Sequence, residues 1–260
     1  MKEFANDDVA DSAARHPIVQ AGARLGFVVS GLLNALIGFL AIRVALGDGS
    51  AAADQSGALA SLAASPLGWA LLVASVVGLG LLAFHSFAQL LRNDPEQSKP
   101  KALGKGLLYA SMAAAAGAFV NGQRSSSTRQ ARDVTAQLMA LPFGVWVVGL
   151  VGLAVVGVGV YHVVKGLRRR FTKDLVEHPN SAVVAAAVIG YVAKGVALIA
   201  TGGLFIRAAF RHDPSGSTGL DGALSALLKA PAGSALVIGI GVGFAAYGLY
   251  SFARARYARL

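Results

Sequence analysis

Glycine and proline recur at a fixed distance in this chain. Three times a Gly is followed 35 or 36 residues later by a Pro that opens a second apolar run: Gly31 to Pro66, Gly106 to Pro142 and Gly195 to Pro231. Each Pro has a Leu four residues before it (Leu62, Leu138, Leu227) and a Gly two residues after it (Gly68, Gly144, Gly233). Such a period constrains the architecture more than any single residue does, because every copy must form the same supersecondary unit. Each period here holds two long apolar segments. The unit therefore reads as a membrane helix hairpin, and the chain as three of them.

The composition agrees. Of 260 residues 55% are hydrophobic and only 14% charged. A bilayer core about 30 Å thick needs roughly 20 apolar residues per helix. Six stretches approach that length, at about Arg24–Leu46, Pro66–Leu91, Leu103–Val120, Pro142–Val164, Ala182–Ile206 and Pro231–Ala253. None alternates polar and apolar residues as a membrane β-strand does. The expected fold is all-α: six transmembrane helices, arranged as three tandem hairpins. Successive hairpins share one orientation, and parallel repeats relate by an axis along the membrane normal, which predicts a pseudo-threefold bundle. The expected organisation is a polar tail over 1–22 and membrane repeats over 23–95, 96–178 and 179–260.

The net charge of +10 invites a nucleic-acid reading, but its distribution argues for a membrane. Fifteen of the 23 Lys and Arg residues lie before or at the start of the first span, between the second and third or at the start of the third, after the fourth, or after the sixth. Seven lie in the opposite connections, and Lys194 lies within an apolar run. Short cytoplasmic connections carry the basic excess. Both termini are therefore expected in the cytoplasm. No nucleic-acid motif accompanies the charge.

The chain has no cysteine, which removes disulfide and thiolate chemistry. The first 22 residues lack the pattern of a signal peptide, so insertion is expected to rely on the first span. Before each Pro, leucines and threonines spaced by three (Leu59 and Leu62, Thr135 and Leu138, Leu224 and Leu227) suit a short amphipathic helix on the outer surface. The Pro itself suits the first turn of the returning helix. Asp54, Asp133 and Asp221 stand where they would favour the start of each short helix.

Several of these motifs resemble a bacterial membrane family, domain of unknown function 1206. Gly222-Ala223-Leu224, Pro231-x-Gly233, Tyr247-Gly248-Leu249-Tyr250 and Ala255-Arg256-Tyr257 are similar to its third repeat. Asp133-Val134-Thr135-Ala136 and Pro142-x-Gly144-x-Trp146 are similar to its second. The resemblance runs from about Ala23 to the end. It implies three tandem two-helix units and no assigned activity, so it brings no catalytic residues.

The candidate site residues fall into two groups. Lys105 and Lys194 hold matching repeat positions with no carboxylate nearby in sequence, and Tyr109 and Tyr191 accompany them as interfacial aromatics do. A charge in a membrane run marks a functional candidate, and anionic lipid headgroups at the cytoplasmic face are the expected partner. The second group is a polar cluster of His85, His162, Tyr161, Tyr247 and Tyr250. Two histidines on separate helices have the capacity to ligate haem. Yet both fall near the cytoplasmic interface, about 28 Å along their helices, where a histidine serves as an anchor. No cofactor is therefore expected, and no metal, since cysteine is absent and carboxylates are scarce. Asn34 and Gln89 are polar positions in the first two spans, explained by interhelical hydrogen bonds or by a pathway. Gly78-x-Gly80-x-x-Ala83 and Gly241-x-Gly243-x-x-Ala246 match a dinucleotide fingerprint only outside its strand–turn–helix context. The expected role is non-catalytic: structural, lipid-interacting or partner-binding. The alternatives are a small-solute or lipid transporter along the pseudo-axis, and a haem redox protein using His85 and His162.

Overall fold

The structure is a computed structural model that describes residues 17–47, 52–91, 99–122, 126–174 and 180–257. Among these the chain is helical throughout. Nine α-helices follow in order: α1 (Pro17–Ala45), α2 (Gln55–Ala63), α3 (Pro66–Leu91), α4 (Lys99–Val120), α5 (Ser127–Met139), α6 (Gly144–Leu167), α7 (Ser181–Arg211), α8 (Gly219–Leu228) and α9 (Gly233–Tyr257). Short 3-10 turns at Arg170–Asp174 and Pro214–Gly216 follow α6 and α7.

Among the described residues four helices are long and apolar enough to cross a membrane: α1 from Gly26, α6, α7 and α9. A fifth arises if α2 and the Pro66–Gly80 part of α3, bent by 112° at their junction, count as one broken span. The sequence leads one to expect six. In α4 the described apolar part is Tyr109–Val120.

Packing divides the chain into two compact units, Met1–Gly57 with Ser127–Leu260, and Ala58–Ser126. In the larger unit α1, α9, α7 and α6 lie side by side in that order, α9 packing on both α1 and α7, and α7 on α6. In the smaller, α3 packs on α4. The tightest pairs thus join helices from different repeats, although the two long helices of the third repeat also touch. This departs from a set of self-contained hairpins, and glycine explains it. A Cβ added to Gly31 would lie 2.9 Å from the carbonyl oxygen of Gly248, and one on Gly248 would lie 2.7 Å from that of Gly31. Gly38 and Gly241 make the same exchange two turns away. Between α6 and α7 the pairs are Gly159 with Gly195 (2.8 and 2.6 Å) and Gly152 with Gly202 (2.9 and 2.7 Å). Seven-residue spacing keeps one seam facing a partner helix, and the missing side chains let backbones approach to Cα–H···O distance.

The recurring Leu-x-x-x-Pro-x-Gly has an equally local cause. A Cβ on Gly68, Gly144 or Gly233 would strike the carbonyl of Leu62, Leu138 or Leu227 respectively. Only a glycine admits the sharp turn from short helix to long. The Pro opens the long helix in the first repeat alone, since α3 starts at Pro66 whereas α6 and α9 start at Gly144 and Gly233. Between Pro and Gly, Phe143 and Ala232 adopt left-handed backbone with φ of 62° and 58°. Such a conformation costs a non-glycine residue about 1 kcal/mol. The three aspartates also differ. Asp54 precedes α2 and its Oδ1 accepts the Ser56 hydroxyl (2.6 Å) and the Gly57 N–H (3.0 Å). Asp221 sits in the first turn of α8. Asp133 lies inside α5, because that helix begins six residues earlier, at Ser127.

Candidate functional site

At the end where α6 and α7 are joined, aromatic rings of the larger unit collect into a buried cluster. The turn after α6 inserts Phe171, which is fully buried. Its ring stacks on Tyr191 of α7 at 5.6 Å and meets Tyr250 of α9 edge-on at 5.4 Å. Tyr247 lies 5.2 Å from Tyr191 and 6.0 Å from Tyr250, both edge-on. Gly190 makes this possible, since a Cβ there would fall 2.7 Å from the Tyr247 backbone. Aromatic pairs in this geometry contribute about 0.5–1.5 kcal/mol beyond burial.

The polar cluster read from the sequence is therefore partly assembled. Tyr247 and Tyr250 lie at its centre, and His162 reaches its edge at 5.8 Å from Tyr191. Tyr161 is exposed and meets that imidazole edge-on, at 5.9 Å. The His162 Nδ1 is 2.9 Å from the Val158 carbonyl of its own helix, which ties the ring to α6. The side chain of His85 lies outside the described residues. Tyr191, read as a lipid-facing anchor, is 3% exposed and is the hub of the cluster. Tyr109 is half-buried on α4, and the Lys105 side chain lies outside the described residues, as does that of Gln89. Phe171 was invisible to pattern reading because it stands in an arginine-rich turn.

Lys194 ties this cluster to a cavity. Its Nζ lies 4.5 Å from the centroid of Tyr247, a contact of about 2 kcal/mol when desolvated. No carboxylate pairs with it among the described residues. The same lysine lines a cavity of about 570 Å³ between α1, α7 and α9, with Ser30, Asn34, Thr201 and Asp54 as polar lining. Apolar walls come from Leu33, Leu198 and Phe244 among others. Lys194 and Thr201 are seven residues apart on α7, so the cavity extends at least about 10 Å along the helix axis. The Asn34 amide donates to the Ser30 carbonyl at 2.7 Å, and Thr201 donates to the Ala197 carbonyl at 2.8 Å. Both bonds satisfy the side chain within its own helix and leave the cavity open to a guest. Asn34 was legible as a candidate from sequence. Ser30 and Thr201 were not, since nothing local marks them, and Asp54 was legible only as a residue at the start of a short helix.

Asp54 closes the far end of the cavity. It is 2% exposed, and its Oδ2 has no hydrogen-bond partner among the described residues. Around it the starts of the three short helices meet. The Ala53 N–H donates to Asp221 Oδ1 (2.9 Å), the Ser127 N–H to the Ser56 hydroxyl (3.3 Å), and the Thr128 hydroxyl to the Thr218 carbonyl (3.0 Å). Burial raises the Asp221 carboxyl above its ordinary value; the Ala53 N–H opposes this and the neighbouring Asp54 charge reinforces it. Among the described residues no group of three His, Asp or Glu side chains is placed to hold a metal.

Long apolar helices seamed by glycine, with short helices at one end and cationic, aromatic groups at the other, define a multi-pass helical membrane protein. The chain belongs to the family called Domain of Unknown Function (DUF1206), which matches it three times, over residues 25–89, 101–169 and 189–258. These matches coincide with the three sequence repeats. It is similar to the uncharacterized protein YxxB of Bacillus subtilis (strain 168), at 28% identity over 256 residues covering 93% of this chain and 92% of that protein. No solved structure matches it.

Proposed function

We propose that the protein is a non-catalytic, six-span protein of the bacterial cytoplasmic membrane, with both termini cytoplasmic, that binds an anionic amphiphile in the Lys194 cavity. The carrying observation is Lys194 itself: a half-buried ammonium without a carboxylate partner among the described residues, lining a cavity with polar and apolar walls. A cation in the membrane needs a compensating group. An anionic phospholipid supplies a headgroup for the lysine and an acyl chain for Leu33, Leu198 and Phe244. The role proposed is binding: the cationic and polar lining suits a headgroup and the apolar walls suit an acyl chain. Native mass spectrometry of purified wild type, Lys194→Gln and Lys105→Gln tests this. Retained phosphatidylglycerol should fall at least severalfold in Lys194→Gln. Equal retention in all three proteins sinks the proposal.

Transport of the same ligand is the second reading, favoured by the polar lining that runs from Lys194 to the buried Asp54. Flux of a labelled anionic lipid across proteoliposomes, present in wild type and absent in Lys194→Gln, separates transport from static binding. The topology is tested with single cysteines in a chain that has none. Ser225→Cys should react with an impermeant reagent in intact cells, whereas labelling of Ser98→Cys would falsify the cytoplasmic placement. A haem role would show as a Soret band lost in His162→Ala, and none is expected.

A further inference from the structure

A second cavity, of about 550 Å³, lies in the larger unit between α5, the end of α7 and α8. Three elements each contribute one cation to it: Arg132 from α5, Arg207 from the last turns of α7, and Lys229 from the end of α8. The Ser215, Thr218 and Ser225 side chains lie between them. Three cations on separate elements, held around one concavity, repel one another unless something offsets them. The chain supplies two carboxylates, and both are already engaged. Asp213 Oδ1 accepts the Ser215 N–H at 2.9 Å and its Oδ2 accepts the Ser215 hydroxyl at 2.8 Å. These bonds, and after them the nearby Arg207 and Arg211 charges, hold the Asp213 carboxyl below its ordinary value. Asp221 accepts the Ala53 N–H across the unit. Neither pairs with Arg132, Arg207 or Lys229 as an ion pair among the described residues.

We infer that this cavity is an oxyanion site, binding a phosphate or sulfate group through Arg132, Arg207 and Lys229. Two guanidinium groups and an ammonium match the several acceptor oxygens of a tetrahedral oxyanion, which planar guanidinium binds two at a time. The hydroxyl of Ser225 adds a neutral donor. The volume leaves room beside a bare phosphate for the rest of a soluble phosphoester or a phospholipid headgroup. The site is separate from Lys194, shares no lining residue with its cavity, and stands whether or not that cavity holds lipid.

The test uses the full-length protein purified in a neutral detergent, with inorganic phosphate titrated by calorimetry. Wild type and Lys194→Gln should bind phosphate alike, while Arg132→Gln with Arg207→Gln should weaken binding at least tenfold. Both arginines are exposed, so the double variant should melt near wild type. Lys229→Glu, a charge reversal on a third element, gives an independent reading of the same loss. A parallel arm reconstitutes wild type and the double variant in nanodiscs of phosphatidylcholine with or without phosphatidylglycerol. Stabilisation by phosphatidylglycerol that disappears in the double variant, without any binding of free phosphate, assigns the oxyanion to a lipid headgroup. Binding of free phosphate assigns it to a soluble ligand. The inference is overturned if neither probe distinguishes wild type from the double variant, or if phosphate binding is lost only in Lys194→Gln.

Discussion

The α1/α9 and α6/α7 pairs on one hand, and the α3/α4 pair on the other, descend from the same repeat and pack by different rules. In the first two, glycine faces glycine and each missing Cβ makes room for the partner's carbonyl. Counting from the repeat prolines, the α3 positions equivalent to Gly152 and Gly241, and to Gly159 and Gly248, are Val76 and Ala83. With those side chains in place the backbones of α3 and α4 cannot meet at carbonyl distance. The Phe87 ring fills the gap instead, lying 2.7 Å from where a Cβ on Gly106 would stand, and Gly117 has only Val76 at 4.0 Å. The register moves accordingly: Gly106 faces Phe87, four residues beyond its repeat counterpart Ala83. Two reciprocal glycine pairs per seam give a rigid, backbone-close contact, whereas one glycine under an aromatic ring gives a looser one.

The sharpest way to break this contrast is to add one methyl group to each kind of seam. Gly195→Ala places a Cβ 2.6 Å from the Gly159 carbonyl and should cost about 3 kcal/mol, at the upper end of overpacking penalties. Gly117→Ala should change stability by less than about 1 kcal/mol, with helix propensity in its favour. Thermal unfolding in detergent reads both, and equal effects would dissolve the distinction. Gly159→Ala combined with Gly195→Ala should cost less than the sum of the singles, since one backbone shift accommodates both.

The next effect in size concerns Phe87. If it substitutes for glycine-on-glycine contact, Phe87→Ala should lose about 2 kcal/mol, below the usual range for a fully buried Phe because this ring is only half-buried. An unchanged melting temperature would show that the smaller unit does not depend on that ring.

Smaller again is the strain where short helix meets long. Ala232→Gly and Phe143→Gly relieve left-handed backbone and should each stabilise by up to about 1 kcal/mol; Phe143 is 80% exposed, so little packing is lost. Leu67→Gly, at the matching position within α3, should destabilise by about 1 kcal/mol. The same sign at all three positions would contradict the difference in helix starts.

The smallest effect lies at the polar junction of the larger unit. Burial, before any other influence, raises the Asp221 carboxyl, so the native state holds that proton more tightly than the unfolded chain does. Stability should therefore fall as pH rises from the unfolded carboxylate value, about 4, through the raised native value. Asp221→Asn keeps an acceptor for the Ala53 N–H and should flatten that slope, by less than about 1 kcal/mol because the half-buried group is screened. Melting curves of wild type and variant that stay parallel from pH 4.5 to 7.5 would count against this account.

Much of the site lay beyond pattern reading for a specific reason. Lys194 and Asn34 were legible because a polar side chain inside an apolar run has to be explained. Ser30 and Thr201 were not, since each bonds its own helix and is unremarkable locally. Arg132, Arg207 and Lys229 are distributed over three elements and read as scattered loop charge. Tyr191 carried the signature of an interfacial anchor, yet burial beside Phe171 and Tyr247 made it a core residue.

What the amino-acid order determined by itself is everything that depends on period and on neighbours a few residues apart. The helical class follows from long apolar runs, which only helices satisfy without water. The helix junctions follow from Leu-x-x-x-Pro-x-Gly, where a carbonyl needs the space of an absent Cβ. Which helix packs on which was decided only in three dimensions. Thirty-two glycines offer many possible seams, and their selection rests on reciprocity: a glycine permits close approach only if its partner, distant in sequence, also lacks a side chain there.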